Sequence, residues 1–314
     1  MQAALYDPEF GYYTRTDLTR WGREGDYRTS AERSELFAAT FARYFARLHD
    51  ELGQPERWTI VEGGAGDGRF AQRVLRALEE QYPPVFAATD YLPLEVSSAA
   101  FYPLDPGIYF SNELLDAFPV HRLTSEGELY VTVDQNDGFV WSPGPLSTPR
   151  LGEFLEQHSI FLAPGQTIEV NLAIDDWLAS LAAKLKRGYV ITVDYGAEAS
   201  ELYDPSLRPD GTLRGFSKHG FVDNVLLAPG EYDITSSVNW TQVIRTGERL
   251  GLEVVAFAQQ DRFLMKAGLV DELEQRLRRV ETTADQVRLT TDAKEMILPG
   301  GMASSFQVLV QKRA

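Results

Sequence analysis

Residues 58–70 read WTIVEGGAGDGRF, a short apolar run that ends in a turn rich in glycine. The run has the composition of a buried strand, and the apolar residues of RFAQRVLRALEEQY at 69–82 recur at helical spacing. The next segment, VFAATD at 85–90, is apolar again and predicts a second strand. We therefore expect a β-α-β unit whose glycine turn lies at its first crossing, where parallel sheets bind ligands.

The rest of the sequence repeats this alternation. Residues 30–52 have the apolar spacing of an amphipathic helix, with a serine at 30 or 34 as its N-cap. Residues 107–118 predict a strand that runs into a polar turn, and 128–143 predict a hairpin that decorates the sheet. Further strands are predicted at 166–172, 189–196, 252–257 and 305–311, and further helices near 148–158, 175–188, 239–250 and 268–279. The pattern indicates an α/β doubly wound sheet.

The composition limits the classes of partner and chemistry. The chain has 314 residues, of which 44% are hydrophobic, enough for one large core. Acidic residues outnumber basic ones by 46 to 30, which gives a formal charge of −16 and makes nucleic acid an unfavourable partner. A basic peptide or a cationic cofactor is easier to accommodate. The chain has no cysteine, which excludes disulfides, thiolate metal sites and cysteine nucleophiles.

The N-terminal sequence and the histidines give two further expectations. The start MQAALYDPEFGYY lacks the features of an export signal, and no apolar run approaches membrane-spanning length, so we expect a cytoplasmic protein without membrane insertion. The four histidines, at 49, 121, 158 and 219, are scattered and do not have metal-ligand spacing. We therefore expect no metal site.

The glycine turn does not fit the known phosphate-binding patterns. A dinucleotide fingerprint needs a third glycine where Arg69 stands, and the chain has no phosphate loop of the G-x-x-x-x-G-K-[ST] type. Glu62 ends the strand and Asp67 lies inside the turn, so a phosphate would face two carboxylates. Such a contact at about 4 Å costs about 4 kcal/mol. The carboxylates instead suit a ligand with an ammonium and a sulfonium group, which is the charge pattern of S-adenosylmethionine.

The glycines allow such a ligand to approach the backbone closely. We predict that the donor binds on Gly63, Gly64 and Gly66, and that Asp90, as the last residue of the second strand, accepts the ribose hydroxyls. An acidic residue in that position would suit a nicotinamide cofactor equally well. In the plainer alternative the turn is backbone geometry alone, and the acidic residues are solvated.

Several blocks of the sequence together resemble a known family. They are ALYDPEFGYY at 4–13, GDYRTSAE at 25–32, VEGGAGDGRF at 61–70, NELLDAFPV at 112–120, VDYG at 193–196, GTLRGFSKH at 211–219 and DITSSVNW at 233–240. In this order they resemble the MidA family of S-adenosylmethionine-dependent methyltransferases, whose mitochondrial members are complex I assembly factors that dimethylate an arginine. The resemblance implies a class I methyltransferase: a Rossmann-like, mostly parallel seven-stranded sheet with an accessory substrate lobe.

The resemblance also implies the acceptor, an arginine in a basic segment of a protein partner such as a respiratory complex I-type subunit. Carboxylates orient a guanidinium and favour loss of its proton. Asn112, Glu113 and Asp116 follow the strand that we count as the fourth parallel strand, and that position borders the methyl donor in folds of this kind. We predict that they are catalytic and that Asn112 also contacts the cofactor. Alternatively, Glu113 and Asp116 are exposed acidic residues of a helix start.

A lid over the acceptor is a second expectation on the substrate side. Asp26 and Thr29, together with Arg214 and His219 of the 197–238 segment, could close over the acceptor, with His219 taking a proton. A lone loop histidine is otherwise a surface residue. The aromatic residues of the N-terminal block are expected to pack under that segment, with a groove lining as the alternative.

Three other functions stay open at the level of sequence. They are methyl transfer to a small molecule or a different side chain, a non-catalytic assembly factor that keeps the cofactor site, and a nicotinamide-dependent oxidoreductase. For the domain organisation we expect a cap segment at 1–57 and a methyltransferase core at 58–314. The core carries a hairpin insertion at 127–146 and a substrate-side loop at 197–238.

Overall fold

The main sheet has seven strands, most of which run parallel. The computed structural model describes residues 1–15, 17, 34–95, 103–217, 220–222, 224–298 and 305–314. Six of the strands, numbered in chain order and given in spatial order, are β2 (Thr89–Leu94), β1 (Trp58–Gly63), β3 (Gly107–Asn112), β8 (Gly188–Ala197), β14 (Phe306–Arg313) and β13 (Glu253–Gln259). The pairs β1–β2, β1–β3 and β3–β8 are parallel, and β14 is antiparallel to both of its neighbours. The seventh strand, β12 (Val238–Asn239), pairs with the last two residues of β8.

The register brings the carboxyl ends of the parallel strands side by side. Gly63 pairs with Leu94 of β2 and with Ser111 of β3, and Ser111 pairs with Thr192 of β8. Because neighbouring parallel strands end at the same edge, the turns that follow β1, β2 and β3 lie close together, whereas β8 continues to Ala197. This arrangement confirms the predicted α/β fold and defines where a ligand site can form. Along the chain, β3 is the third described strand rather than the fourth.

An aromatic core packs against one face of the main sheet. Helix α2 (Glu35–Glu51) begins at Ser34, whose hydroxyl accepts the N–H groups of the next helical turn, so the second of the two predicted N-caps is used. Phe41 of α2 lies 5.1 Å from the ring of Phe110 in β3, and Phe70 stacks on Phe110 at 4.9 Å. Truncating one such phenylalanine to alanine typically costs about 3–5 kcal/mol.

The segment predicted as the second strand is helical instead. Proline at position 83 begins a short helix, α4 (Pro83–Ala88), and β2 starts only at Thr89. Proline is favoured in the first turn of a helix, and the alanines that follow support helix more than strand. The other helices that pack with the main sheet are α3 (Arg69–Gln81), α9 (Gln260–Ala267), α10 (Leu269–Leu277) and α11 (Thr283–Ile297). Of these, α9 and α11 were not predicted from the sequence.

The chain divides into two units. The second unit takes the described residues of Arg28–Leu114, Ala179–Tyr195 and Gly247–Ala314, and it contains the glycine turn. The first unit takes those of Met1–Tyr27, Leu115–Leu178 and Gly196–Thr246. Helix α2 belongs to the second unit.

Two antiparallel sheets make up much of the first unit. In spatial order, one contains β6 (Phe139–Gly144), β5 (Gly127–Val133), β4 (His121–Thr124) and β7 (Thr167–Val170). The other contains β10 (Gly220–Val222), β9 (Arg214–Ser217) and β11 (Asp233–Thr235). The predicted hairpin is therefore part of a separate sheet rather than a decoration of the main one, and the 197–238 segment has strands of its own. The helices with residues in this unit are α1 (Gln2–Tyr6), α5 (Pro149–Gln157), α6 (Leu172–Ala182), α7 (Ala199–Leu202) and α8 (Trp240–Arg249).

The N-terminal aromatic residues have different environments. Tyr12 is fully buried in a cluster with Leu5 and Ile234, as expected from packing, whereas Phe10 is exposed. Within the described ranges, none of the helices has both the length and the apolar character needed to cross a bilayer.

Candidate active site

The turn after β1 is bare backbone held in conformations that favour glycine. Gly64 and Gly66 have φ of +69° and +56°, a region in which side chains are strained. A Cβ atom on Gly63 or Gly64 would lie 3.2 Å from the side chain of Leu114, which follows β3. The predicted glycines therefore form a surface that a ligand can approach closely, and Leu114 lies directly beside it.

The N–H groups of this turn are already paired with the end of β2. The Gly64 and Ala65 N–H groups donate to the Leu94 carbonyl, at 2.8 and 3.2 Å, and the Gly66 N–H donates to Glu95 Oε1 at 2.5 Å. Phosphate-binding turns use such N–H groups to hold the anion. Because three of these donors are paired, and one of them with a carboxylate, the turn is unfavourable for a diphosphate.

The charges of the turn differ from the prediction. Glu62 is buried, and burial raises its pKa to about 8, although the Tyr91 hydroxyl donates to the carboxyl group at 3.0 Å and lowers it in part. Asp67 forms an ion pair with Arg69, at 2.9 Å between Oδ2 and Nε. The negative charge expected from the two carboxylates is therefore reduced, since Glu62 is mostly protonated at pH 7 and Asp67 has a cationic partner.

The predicted position of Asp90 is also wrong. Asp90 is the second residue of β2, not the last, and it pairs with Thr59 near the start of β1. Its carboxylate is exposed and contacts Arg57 at 3.1 Å. The error follows from the strand boundary, because the true strand ends at Leu94. The acidic residue that follows β2 is Glu95, to which no role was assigned from the sequence. It stands directly after the strand TDYLPL, so the correct strand end would have pointed to it.

The turn after β3 holds Asn112 and Glu113 next to the glycine turn. Glu113 has φ of +54°, and its N–H donates to the Val193 carbonyl of β8 at 2.9 Å. The Asn112 side-chain amide donates to Glu113 Oε1 at 3.1 Å, which orients the carboxylate. Within the described part of the chain, the buried Asn112 Oδ1 has no hydrogen-bond partner. It can therefore accept a hydrogen bond from a ligand.

A buried carboxylate within β8 supports this turn. Asp194 is fully buried and accepts the N–H of Leu114 at 3.2 Å and that of Tyr195 at 2.9 Å. No role was predicted for Asp194 from the sequence, where it stands within VDYG. Its signal there is a single acidic residue that directly follows the apolar run YVITV.

The other predicted acceptor residues lie in the first unit. Asp116 is buried, and its carbonyl accepts the N–H of Ser236 at 2.9 Å. Arg214 begins β9 opposite Thr235 of β11. Asp26, Thr29 and His219 lie outside the described residues.

The N-terminal block contacts the same region of the first unit. The Tyr6 hydroxyl donates to the Ala117 carbonyl at 3.0 Å, and the Tyr13 hydroxyl donates to Asp233 Oδ1 at 2.5 Å. Three of the sequence blocks, at 4–13, 112–120 and 233–240, thus meet around the residues that follow Leu115. Among the described residues, no three histidine or acidic side chains are grouped so that they could hold a metal ion.

The site fits S-adenosylmethionine better than a dinucleotide. The glycines leave room against the backbone, Asn112 Oδ1 is a buried acceptor, and Glu95 places a carboxylate after β2, where a ribose can bind. The fold and this site define a class of protein, the S-adenosylmethionine-dependent methyltransferases. The family model Methyltransf_28, described as an S-adenosyl-L-methionine-dependent methyltransferase, matches residues 40–102 and 99–258. The chain belongs to this family.

Named relatives and solved structures agree with this class. The chain is 25% identical to the Drosophila melanogaster protein arginine methyltransferase NDUFAF7 homolog, over 98% of this chain and 79% of the fly protein. It is 24% identical to human protein arginine methyltransferase NDUFAF7, over 79% of this chain and 64% of the human protein. A COG1565 superfamily member from Burkholderia thailandensis, bound to S-adenosyl-homocysteine, is 26% identical with a TM-score of 0.83, over 99% of this chain and 86% of that one.

Proposed function

We propose that this methyltransferase acts on an arginine side chain in a basic segment of a protein partner. The relatives named protein arginine methyltransferase support this acceptor. The observation that carries the proposal is the conformation of Glu113, whose backbone is left-handed and whose carboxylate is oriented by Asn112. Strain of this kind persists where surrounding structure enforces it, and it is concentrated at active sites.

Glu113 has the chemistry that a guanidinium acceptor requires. A carboxylate accepts hydrogen bonds from the planar guanidinium fork and fixes the direction of the attacking nitrogen. It can also take up the proton that the nitrogen loses. The bound cofactor supplies an activated methyl group, so the residues of this chain mainly have to align the acceptor and hold that proton. Asp116 and Arg214 remain predictions for the acceptor side.

On the cofactor side we propose three contacts. Glu95 accepts the ribose hydroxyls in place of Asp90, because it follows the carboxyl end of β2 and already contacts Gly66. Asn112 Oδ1 accepts a hydrogen bond from the ligand's amino group. Glu62 ionises when the cationic end of the ligand approaches, since an opposite charge favours the charged form of a carboxyl group.

The test is methyl transfer to matched peptides. The purified chain is incubated with isotopically labelled S-adenosylmethionine and two lysine-flanked peptides that differ only in a central arginine or lysine, followed by mass spectrometry. We expect label on the arginine peptide alone. We also expect Glu113→Gln to lose at least about 100-fold in rate, the usual range for a group that handles a proton, while S-adenosylhomocysteine binding stays within threefold.

Other outcomes would favour the competing functions. Label on both peptides or on lysine alone would refute arginine specificity. No label on any protein of a cell extract, with intact S-adenosylhomocysteine binding, would favour a non-catalytic assembly factor. Binding of a nicotinamide dinucleotide without binding of S-adenosylhomocysteine would refute the cofactor. A cytoplasmic location also stays a proposal, based on the N-terminal sequence alone.

A further inference from the structure

The hairpin formed by β5 and β6 exposes apolar side chains in the first unit. Val133 pairs with Phe139 across the hairpin, and their exposed fractions are 54% and 46%. Val131 is 47% exposed on the same face, where its partner is Trp141. Trp141 packs against the N-terminal cluster, so the inner part of this face is covered while the outer part is open. Single exposed apolar residues are ordinary, whereas a contiguous set of this kind indicates an interaction site.

Strand β6 is also an edge of its sheet within the described residues. The Asp134 N–H donates to the Gly138 carbonyl at 2.8 Å, which fixes the hydrogen-bonding phase of the hairpin. Because hydrogen-bonded and non-bonded pairs alternate in an antiparallel ladder, the N–H and C=O groups of Phe139 and Trp141 point away from β5. Edge strands are usually protected by charged side chains. The sequence of β6, FVWSPG, contains no charged side chain, and Pro143, a residue type that also protects edges, interrupts the strand only after Trp141.

The charge around this edge is mostly negative, although the Arg122 guanidinium of β4 lies over the Trp141 ring at 4.8 Å. Residues 123–149 contain four acidic residues, Glu126, Glu128, Asp134 and Asp137, and no lysine or arginine. The whole first unit has 22 acidic and 9 basic residues, a formal charge of −13, while the second unit has 24 and 21, a formal charge of −3. The negative charge of the chain is therefore concentrated in the unit that does not contain the glycine turn.

We infer that β6 is a docking edge for an extended, basic and apolar segment of a partner protein, which adds to the sheet as a further strand. The Phe139 and Trp141 main-chain groups pair with the segment, and its apolar side chains cover the exposed valines of β5. Its cations face the exposed acidic residues Glu126, Asp134 and Asp137, since Glu128 is buried against His121 and Ser147. A second copy of this chain is a poor occupant, since two acidic hairpins would repel each other. If the partner is the methyl acceptor, this inference rests on the proposed function, but the binding itself does not require catalysis.

The probe is a short labelled peptide that alternates lysine with valine, and its counterpart has glutamate in place of lysine. Binding to the full chain is measured by fluorescence anisotropy. We expect the basic peptide to bind and the acidic one not to bind. Reversing two exposed charges, Glu126→Lys with Asp137→Lys, should weaken binding about tenfold or more, because both lie at the ends of the hairpin and neither carboxylate holds its turn. Asp134 is left unchanged, since its carboxylate accepts the N–H groups of Asn136 and Gly138. The matched control is Glu153→Lys with Glu156→Lys on α5, two exposed residues of the same unit, and it should weaken binding less than threefold.

Hydrogen exchange locates the bound peptide. The amides of Phe139 and Trp141 should become protected when the basic peptide binds. Three results would refute the docking edge. They are equal weakening of binding by the two double variants, equal binding of the acidic and basic peptides, and amide protection confined to other strands. Protection of these amides by self-association without peptide would show that a second copy is the occupant instead. Peptide binding is measured without methyl donor. The docking edge can therefore be refuted independently of the proposed arginine methylation.

Discussion

The protonation of Glu62 gives a direct test of the electrostatics of the site. Burial raises the pKa of Glu62 to about 8, from an ordinary value of 4.5. Because the folded-state pKa lies above the unfolded value, the folded protein binds this proton more tightly, and stability falls as the pH rises from 4.5 towards 8. One proton corresponds to about 1.4 kcal/mol per pH unit, so we expect a loss of roughly 3 kcal/mol between pH 5 and pH 8.

The variant Glu62→Gln isolates this contribution, because glutamine can accept the Tyr91 hydrogen bond but cannot ionise. Urea unfolding at pH 5 and pH 8 should show similar free energies of unfolding for the two proteins at pH 5. At pH 8 the variant should be about 3 kcal/mol more stable. Glu79→Gln, which changes an exposed glutamate of α3, controls for the loss of one charge. Parallel pH dependence of the native protein and Glu62→Gln would refute the reasoning.

Three further predictions concern the same edge of the sheet. Glu95→Gln should weaken S-adenosylhomocysteine binding about tenfold by calorimetry, because a charged acceptor is lost. Asp90→Asn should change the affinity less than twofold. The reverse order would identify Asp90 as the acceptor of the ribose hydroxyls. Asp194→Asn should lower the free energy of unfolding by about 1–3 kcal/mol in urea titrations, since one of the two oxygens that accept the Leu114 and Tyr195 N–H groups becomes a donor. An unchanged midpoint would contradict this. Gly64→Ala and Gly53→Ala should each lower the free energy of unfolding by about 1–2 kcal/mol, because both glycines have positive φ. Only Gly64→Ala, which lies in the turn, should also reduce S-adenosylhomocysteine binding. Equal affinities of the two variants would count against the turn as the cofactor site.

The order of elements and the position of the glycine turn could be predicted from the sequence because both depend on local chemistry. The apolar run at 58–61 and the glycines after it fix a strand and a turn without help from distant residues. The N-cap at Ser34 was recognisable for the same reason, since a serine before an apolar helical repeat satisfies the first free N–H groups.

The cofactor residues depended on strand ends, which local patterns define less well. The apolar segment 85–90 fits a strand or a helix, and packing decided for a helix up to Ala88. This shift moves the strand end from Asp90 to Leu94 and transfers the acidic position to Glu95. A small error at one boundary thus changed which carboxylate faces the turn.

What the sequence by itself determined is the class of fold, the bare turn and the blocks of family resemblance, because each is written in consecutive residues. Only the tertiary structure decided that Glu62 is mostly protonated, that Asp194 supports the turn after β3, and that three distant segments assemble one acidic unit. These properties depend on burial and on contacts between residues far apart in the chain. Desolvation shifts a pKa, and register joins strand ends, only after the chain has folded.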